Sequence, residues 1–172
     1  MLMTQESVFA LELVALGFGL VLLAAAALHD VAVRTIPNAL PLLLAIDGTI
    51  LRVLKGDIAW GLAASGAVFI LAALCWRRGL MGGGDVKLLG AATLLVAPGM
   101  SVGLLLNVSL AGGALALIYL ALRRAVAAPV SGRPAGLLRR ILRTERRRVR
   151  AGGPLPYATS IAAGAIFTLF GA

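Results

Sequence analysis

The sequence predicts an all-α fold, a polytopic membrane bundle of about six transmembrane helices in a single domain, 1–172. Of its 172 residues 60% are hydrophobic and the mean hydropathy is +1.00, more apolar than an ordinary soluble domain. The apolar runs are continuous and near the ~20 residues of a helix crossing roughly 30 Å of hydrocarbon, whereas barrel strands would show short alternating segments. The charges gather in the breaks: ten of the sixteen basic residues fall between Arg123 and Arg150.

Residues 8–28 form the first apolar run. The seven residues before it carry Glu6 and no Lys or Arg, so a retained helix is expected rather than a cleaved signal peptide, which wants a basic start and a shorter core. Glu12, one turn inside, reads as a carboxylate that snorkels to the interface. The stretch 29–38 then breaks the pattern. Pro37 disfavours helix at Ile36, and Asn38 is a suitable N-cap for a second helix over 39–54. Asp47, in the middle of that helix, reads as a hydrogen-bonded acid between helices.

Arg52, Lys55 and Asp57 make a short polar connection to a third helix over 58–76, which Arg77 and Arg78 end. The fourth helix is expected to start at Asp85 or Val86 and to end before Pro98-Gly99. Residues 86–97 would make roughly 18 Å of helix, short of the bilayer. Local thinning, or a glycine turn dipping into a wet recess lined by protein, would accommodate it. A fifth helix covers 101–122, with Gly103, Gly112 and Gly113 allowing close packing, and the last runs over 156–170. The Gly99/Gly103 spacing leaves a homo-oligomer open.

Between the fifth and sixth helices lies the long basic loop, 123–153. Leu137, Leu138, Ile141, Leu142 and Val149 recur there at helical spacing. Arg139, Arg140, Arg143, Arg146, Arg147 and Arg150 occupy the other faces, as in an interfacial helix lying on anionic lipid. The net charge of +9 is therefore a matter of membrane topology, and no nucleic-acid partner is expected. Cys75 is the single cysteine, so no disulfide or zinc cluster is expected and no cofactor or metal is implied.

The chemistry centres on Met81-Gly82-Gly83-Gly84-Asp85-Val86-Lys87. A carboxylate at the mouth of a membrane helix is costly and calls for a function, and Asp30 is its natural partner. With six helices, one side of the membrane receives Arg34, Arg77, Arg78, Lys87 and the ten loop arginines, and the other receives Arg52 and Lys55. The positive-inside rule makes the first side cytoplasmic, with both termini outside. Asp30 and Asp85 then share the cytoplasmic boundary. Two adjacent carboxylates share a proton, so the ionised one can deprotonate water while the neutral one protonates a peptide carbonyl. Lys87, about 200° round the helix from Asp85, reads as an interfacial anchor at least as readily as a supporting group. His29 has no matching partner set and stays outside the site.

Asp30 with Arg34, Ile36, Pro37 and Asn38 resembles the first aspartate motif of the type IV prepilin peptidases. Gly82-Gly83-Gly84-Asp85-Val86-Lys87 resembles their G-x-G-D signature, and Leu155-Pro156-Tyr157-Ala158 is similar to the start of their last helix. The resemblance implies a six-helix aspartyl protease that removes a short basic leader from pilin-like precursors at the cytoplasmic face of the inner membrane. It implies Asp30 and Asp85 as the catalytic pair. Gly82 and Gly84 would shape the approach to Asp85, Pro37 and Asn38 would set the start of the second helix, and Lys87 and Arg34 stand as supporting candidates. Longer members carry a tetracysteine segment and many methylate the new amino terminus. This chain is similar in size to the short form of tight-adherence pili or preflagellins, and no methylation is expected.

Two other readings compete. A small proton- or cation-coupled transporter would use Asp30, Asp47 and Asp85 together. A silent anchoring subunit would depend on the arginine loop instead.

Overall fold

In the computed structural model, residues 5–125, 144, 146–148, 150 and 155–171 are described. Six helices follow the expected order: α1 Gln5–Val33, α2 Ala39–Leu54, α3 Ile58–Arg77, α4 Gly83–Thr93, α5 Ser101–Ala125 and α6 Tyr157–Phe170. A 3-10 turn, Pro98–Met100, leads into α5. Residues 144, 146–148 and 150 are also helical, with Arg146, Arg147 and Arg150 exposed. Leu137, Leu138, Ile141, Leu142, Val149, Arg139, Arg140 and Arg143 of the expected interfacial helix lie outside the described residues.

Among the described residues three helical stretches are long and apolar enough to cross a membrane: Gln5–Val33, Ile58–Arg77 and Pro98–Arg123. Their outward faces carry Val14, Val21 and Leu28 on α1, Trp60 on α3, and Leu110 and Leu117 on α5, each more than 60% exposed. Contiguous apolar surface on that scale is suited to lipid rather than water. The protein is an all-α membrane protein.

The first helix runs past the expected end. Its buried residues, Ala15, Gly19, Leu22, Leu23, Ala26 and Asp30, recur at three- and four-residue spacing along one stripe. Asp30 is the last member of that stripe and lies in the final turn, at the end of the helix as expected. The helix closes at Arg34, whose φ of 61° is left-handed and whose N–H donates to the Asp30 carbonyl at 2.8 Å. Arg148, from the long loop, donates to the carbonyls of Val31 at 3.1 Å and Ala32 at 3.5 Å. A cation on carbonyls left over at a helix C-terminus is favourable.

The fourth helix is short for a different reason than expected. It packs against α2, α3 and α6, and Val86, Leu88, Leu89, Gly90, Ala91, Ala92 and Thr93 are all buried. An apolar helix of 10–14 residues, buried over most of its length, is a core element and need not span the bilayer. It also begins earlier: Gly83 and Gly84 are its first two helical residues, and Gly82 is the N-cap.

With lipid around the bundle, close packing rather than the hydrophobic effect holds the helices together. A Cβ on Gly48 would stand 2.5 Å from Leu94 Cβ, and one on Gly164 would stand 2.5 Å from the Val108 backbone nitrogen. Gly164 thus sets the approach of α6 to α5. Of the three glycines expected to serve α5, only Gly112 faces a neighbour, Tyr157. Gly103 and Gly113 face open space.

The antiparallel order gathers charged groups at two ends. At one end Lys55 binds Glu12 at 2.8 Å, and Arg52, 1% exposed, binds Asp57 at 2.8 Å while its stem lies against Gly61. These residues line a cavity of about 320 Å³ with Ala97, Met100 and Thr168. The opposite end holds Asp30 and Asp85.

Candidate active site

Asp85 owes its position to the α4 N-terminus. It is the third helical residue after the Gly82 N-cap, from which an acidic side chain can fold back onto the N-cap amide. The carboxylate accepts that hydrogen bond from the Gly82 N–H. Gly82 has φ −75° and ψ 147°, a conformation any residue can adopt. What a side chain lacks there is room: a Cβ on Gly82 would stand 2.8 Å from Asp85 Oδ2. Gly84 meets a different need, since its Cβ would press on Ile36 Cβ at 3.1 Å. One glycine makes space for the acid and the other for the α1–α2 connection.

Asp30 is 6% exposed, and its Oδ2 accepts a hydrogen bond from the backbone N–H of Ala158 at 3.1 Å. Ala158 is the second residue of α6, where helix amides have no partner within the helix. Each acid is therefore held by an N–H at a helix start, the end of the macrodipole that favours a carboxylate.

Both acids line one cavity of about 570 Å³, walled also by Arg34, Gly82, Leu155, Tyr157 and residues 79–81. They are close enough for the charge of Asp30 to act on Asp85. Arg34 reaches the cavity wall with its Nη2 donating to the Tyr119 hydroxyl at 3.3 Å, the guanidinium 6.0 Å from the ring centroid.

Other sequence-predicted residues stand elsewhere. Asn38 occupies the N-cap position of α2, but its backbone is already helical and its side chain caps nothing. Its Oδ1 instead accepts from Lys87 Nζ at 2.8 Å. That pair lines a separate, largely apolar cavity between α2, α3 and α4, on the face of α4 away from Asp85. Pro37 contributes a carbonyl that accepts from the Leu40 N–H at 3.1 Å, which supplies the cap that Asn38 does not.

Asp47 is 7% exposed in α2 and does not line the Asp30–Asp85 cavity. It is not the hydrogen-bonded acid expected between helices. Its Oδ2 has no hydrogen-bond partner among the described residues and faces Gly19. His29 turns to the connection, its Nδ1 donating to the Thr35 carbonyl at 2.6 Å. Among the described residues no group of three or more His, Cys, Asp or Glu side chains is placed to hold a metal ion.

Sequence reasoning missed Tyr157, the Ala158 N–H, Tyr119 and Arg148. Only the first gave a local signal, a polar-tipped aromatic at the head of an apolar helix. The others depend on contacts across 85 to 128 positions.

Residues 17–117, more than half of the chain, match the profile of the type IV leader peptidase family. The chain belongs to the type IV leader peptidase family. The matched span contains both acids, Arg34, Pro37, Asn38, Gly82, Gly84 and Lys87, and stops within α5. No curated protein and no solved structure matches the chain. As a type IV leader peptidase it is a membrane peptidase, and the family implies a prepilin-like substrate.

Proposed function

We propose that this leader peptidase is an aspartyl endopeptidase. It removes the leader of a prepilin-like precursor at the cytoplasmic face of the inner membrane, with Asp30 and Asp85 as the catalytic pair. The observation that carries the reading is the shared cavity: two carboxyl groups from α1 and α4 line one space, each tethered by an amide at a helix start.

In the reaction one carboxyl is ionised and the other neutral, because two charges so close are unfavourable. The carboxylate takes a proton from water as the water oxygen bonds to the scissile carbonyl carbon. The neutral acid gives its proton to the carbonyl oxygen, leaving a gem-diol. Collapse breaks the C–N bond. The leaving nitrogen takes the proton gained from water, and a diol hydroxyl returns one to the second carboxylate. The tethering amides hold both oxygen pairs on the water, which lowers the entropic part of the barrier.

Gly82 and Gly84 then serve as site-shaping residues, and Arg34 supplies positive charge at the cavity wall. Pro37, Asn38 and Lys87 support the α2 start and the neighbouring face of α4. The cytoplasmic assignment rests on the fourteen basic residues on the side that carries both acids. The arginines from Arg139 to Arg150 would seat the long loop on anionic lipid there. A transporter would need Asp47 on a path with the other two acids, and it does not line their cavity.

The test is co-expression of a leader-bearing precursor with wild type, Asp30→Asn, Asp85→Asn and Asp47→Asn, with membrane levels matched and processing read as a gel shift. Loss in the first two and retention in the third is the expected result. Processing by either of the first two variants would remove that acid from the mechanism and the proposal with it.

A further inference from the structure

The structure assigns Tyr157 a place in the chemistry: we infer that its phenol is a third catalytic group, donating a hydrogen bond to the substrate carbonyl oxygen as it becomes tetrahedral. The inference rests on the two-aspartate reading of the same site and adds to it.

Tyr157 is the first residue of α6, immediately before the Ala158 amide that holds Asp30. Its ring lies against Gly112 of α5, whose Cβ would come within 3.4 Å of Tyr157 Cε2. The backbone is anchored by the helix start, and the ring edge is bounded by Gly112. It lines the cavity with Asp30 and Asp85, and stands close enough to Asp85 for the two to interact electrostatically.

The hydroxyl itself is uncommitted. Among the described residues Tyr157 Oη has no protein hydrogen-bond partner and stays accessible from the cavity. A donor near Asp85, in the cavity that both carboxyls line, suits the oxygen that gains charge during attack. A preorganised donor aimed at a developing oxyanion needs no reorganisation at the moment of reaction. The step transfers no proton to or from Tyr157. Its O–H shortens its hydrogen bond to the oxygen while the carboxyl pair moves the protons.

The experiment measures kcat and KM for cleavage of a leader-bearing precursor by the full-length enzyme in lipid nanodiscs. The variants are Tyr157→Phe, Asp30→Asn, Asp85→Asn, and enzyme with 2-fluorotyrosine, whose phenol stays protonated at neutral pH, incorporated at position 157. Tyr157→Phe keeps the ring against Gly112 and removes only the donor. The expected result is a fall in kcat of about 100-fold with KM within about twofold, the size seen when one oxyanion donor is removed. The fluorinated residue retains the O–H and should hold kcat within a few-fold of wild type.

A Tyr157→Phe enzyme with wild-type kcat, or one altered in KM alone, overturns the inference and leaves the aspartate pair intact. Loss of kcat in the fluorinated enzyme as well would reduce Tyr157 to packing and also overturns it. Turnover by either aspartate variant would show instead that the reading beneath it has failed.

Discussion

Replacing Gly82 with alanine separates the needs of the backbone from those of the acid. With φ −75° and ψ 147° the residue sits where alanine is at ease, so the backbone itself is unstrained, and the ~0.4–1 kcal/mol from a stiffer unfolded chain offsets most of the lost cap hydrogen bond. The new methyl would lie 2.8 Å from Asp85 Oδ2, against an ordinary contact of about 3.4 Å or more. The carboxylate must withdraw by about half an ångström, and the Gly82 N–H that orients it loses its partner. A misplacement of about 1 Å at a reacting group costs on the order of 100-fold in rate, so roughly 10- to 100-fold is expected here. Cleavage of a leader-bearing precursor followed by gel shift, alongside a thermal melt in detergent, reads both quantities. Wild-type cleavage by Gly82→Ala would refute the reasoning. So would a large fall in melting temperature, because the glycine would then be serving the backbone after all.

Two further outcomes follow from the packing. Asp57→Asn leaves the buried Arg52 guanidinium without its charge partner. It should cost about 3 kcal/mol, the low end for a broken buried pair because Asp57 is 31% exposed. Denaturant titration of the purified protein would show this, and a change under about 0.5 kcal/mol would mean that the pair is solvated. Gly164→Ala puts a methyl 2.5 Å from the Val108 nitrogen and must push α6 from α5, at about 1–3 kcal/mol. Since α6 carries Ala158 and Tyr157 to the acids, cleavage should fall with stability. A variant as stable and active as wild type would show that α5 and α6 have slack.

Much of the site was legible because its signals are local. Pro37 and three consecutive glycines break apolar runs, with Asp30 seven residues before the first break and Asp85 directly after the second. Asp30 could also have been placed on the inner face from its spacing to Ala26, Leu23 and Gly19. Asn38 misled because N-cap preference is local, whereas the ammonium of Lys87 that claims its side chain comes from another helix. The burial of α4 was not legible because a short, mostly apolar stretch looks the same whether it touches lipid or protein.

Composition and run length alone determined that this chain is a helical membrane protein, in what order its helices come, and which carboxylates stand at helix ends. Apolar length and glycine or proline breaks are properties of neighbouring residues, and lipid leaves the backbone few alternatives to helix. Only the tertiary structure decided that α4 is the buried centre, that Asp30 and Asp85 face one cavity, and that Tyr157 joins them while Lys87 and Asn38 face another. Those facts depend on how each helix is rotated about its own axis. A helix such as α4, apolar over most of its surface, carries no sequence pattern that fixes its rotation; close contacts with distant partners do so, among them Gly48 with Leu94 and Gly84 with Ile36.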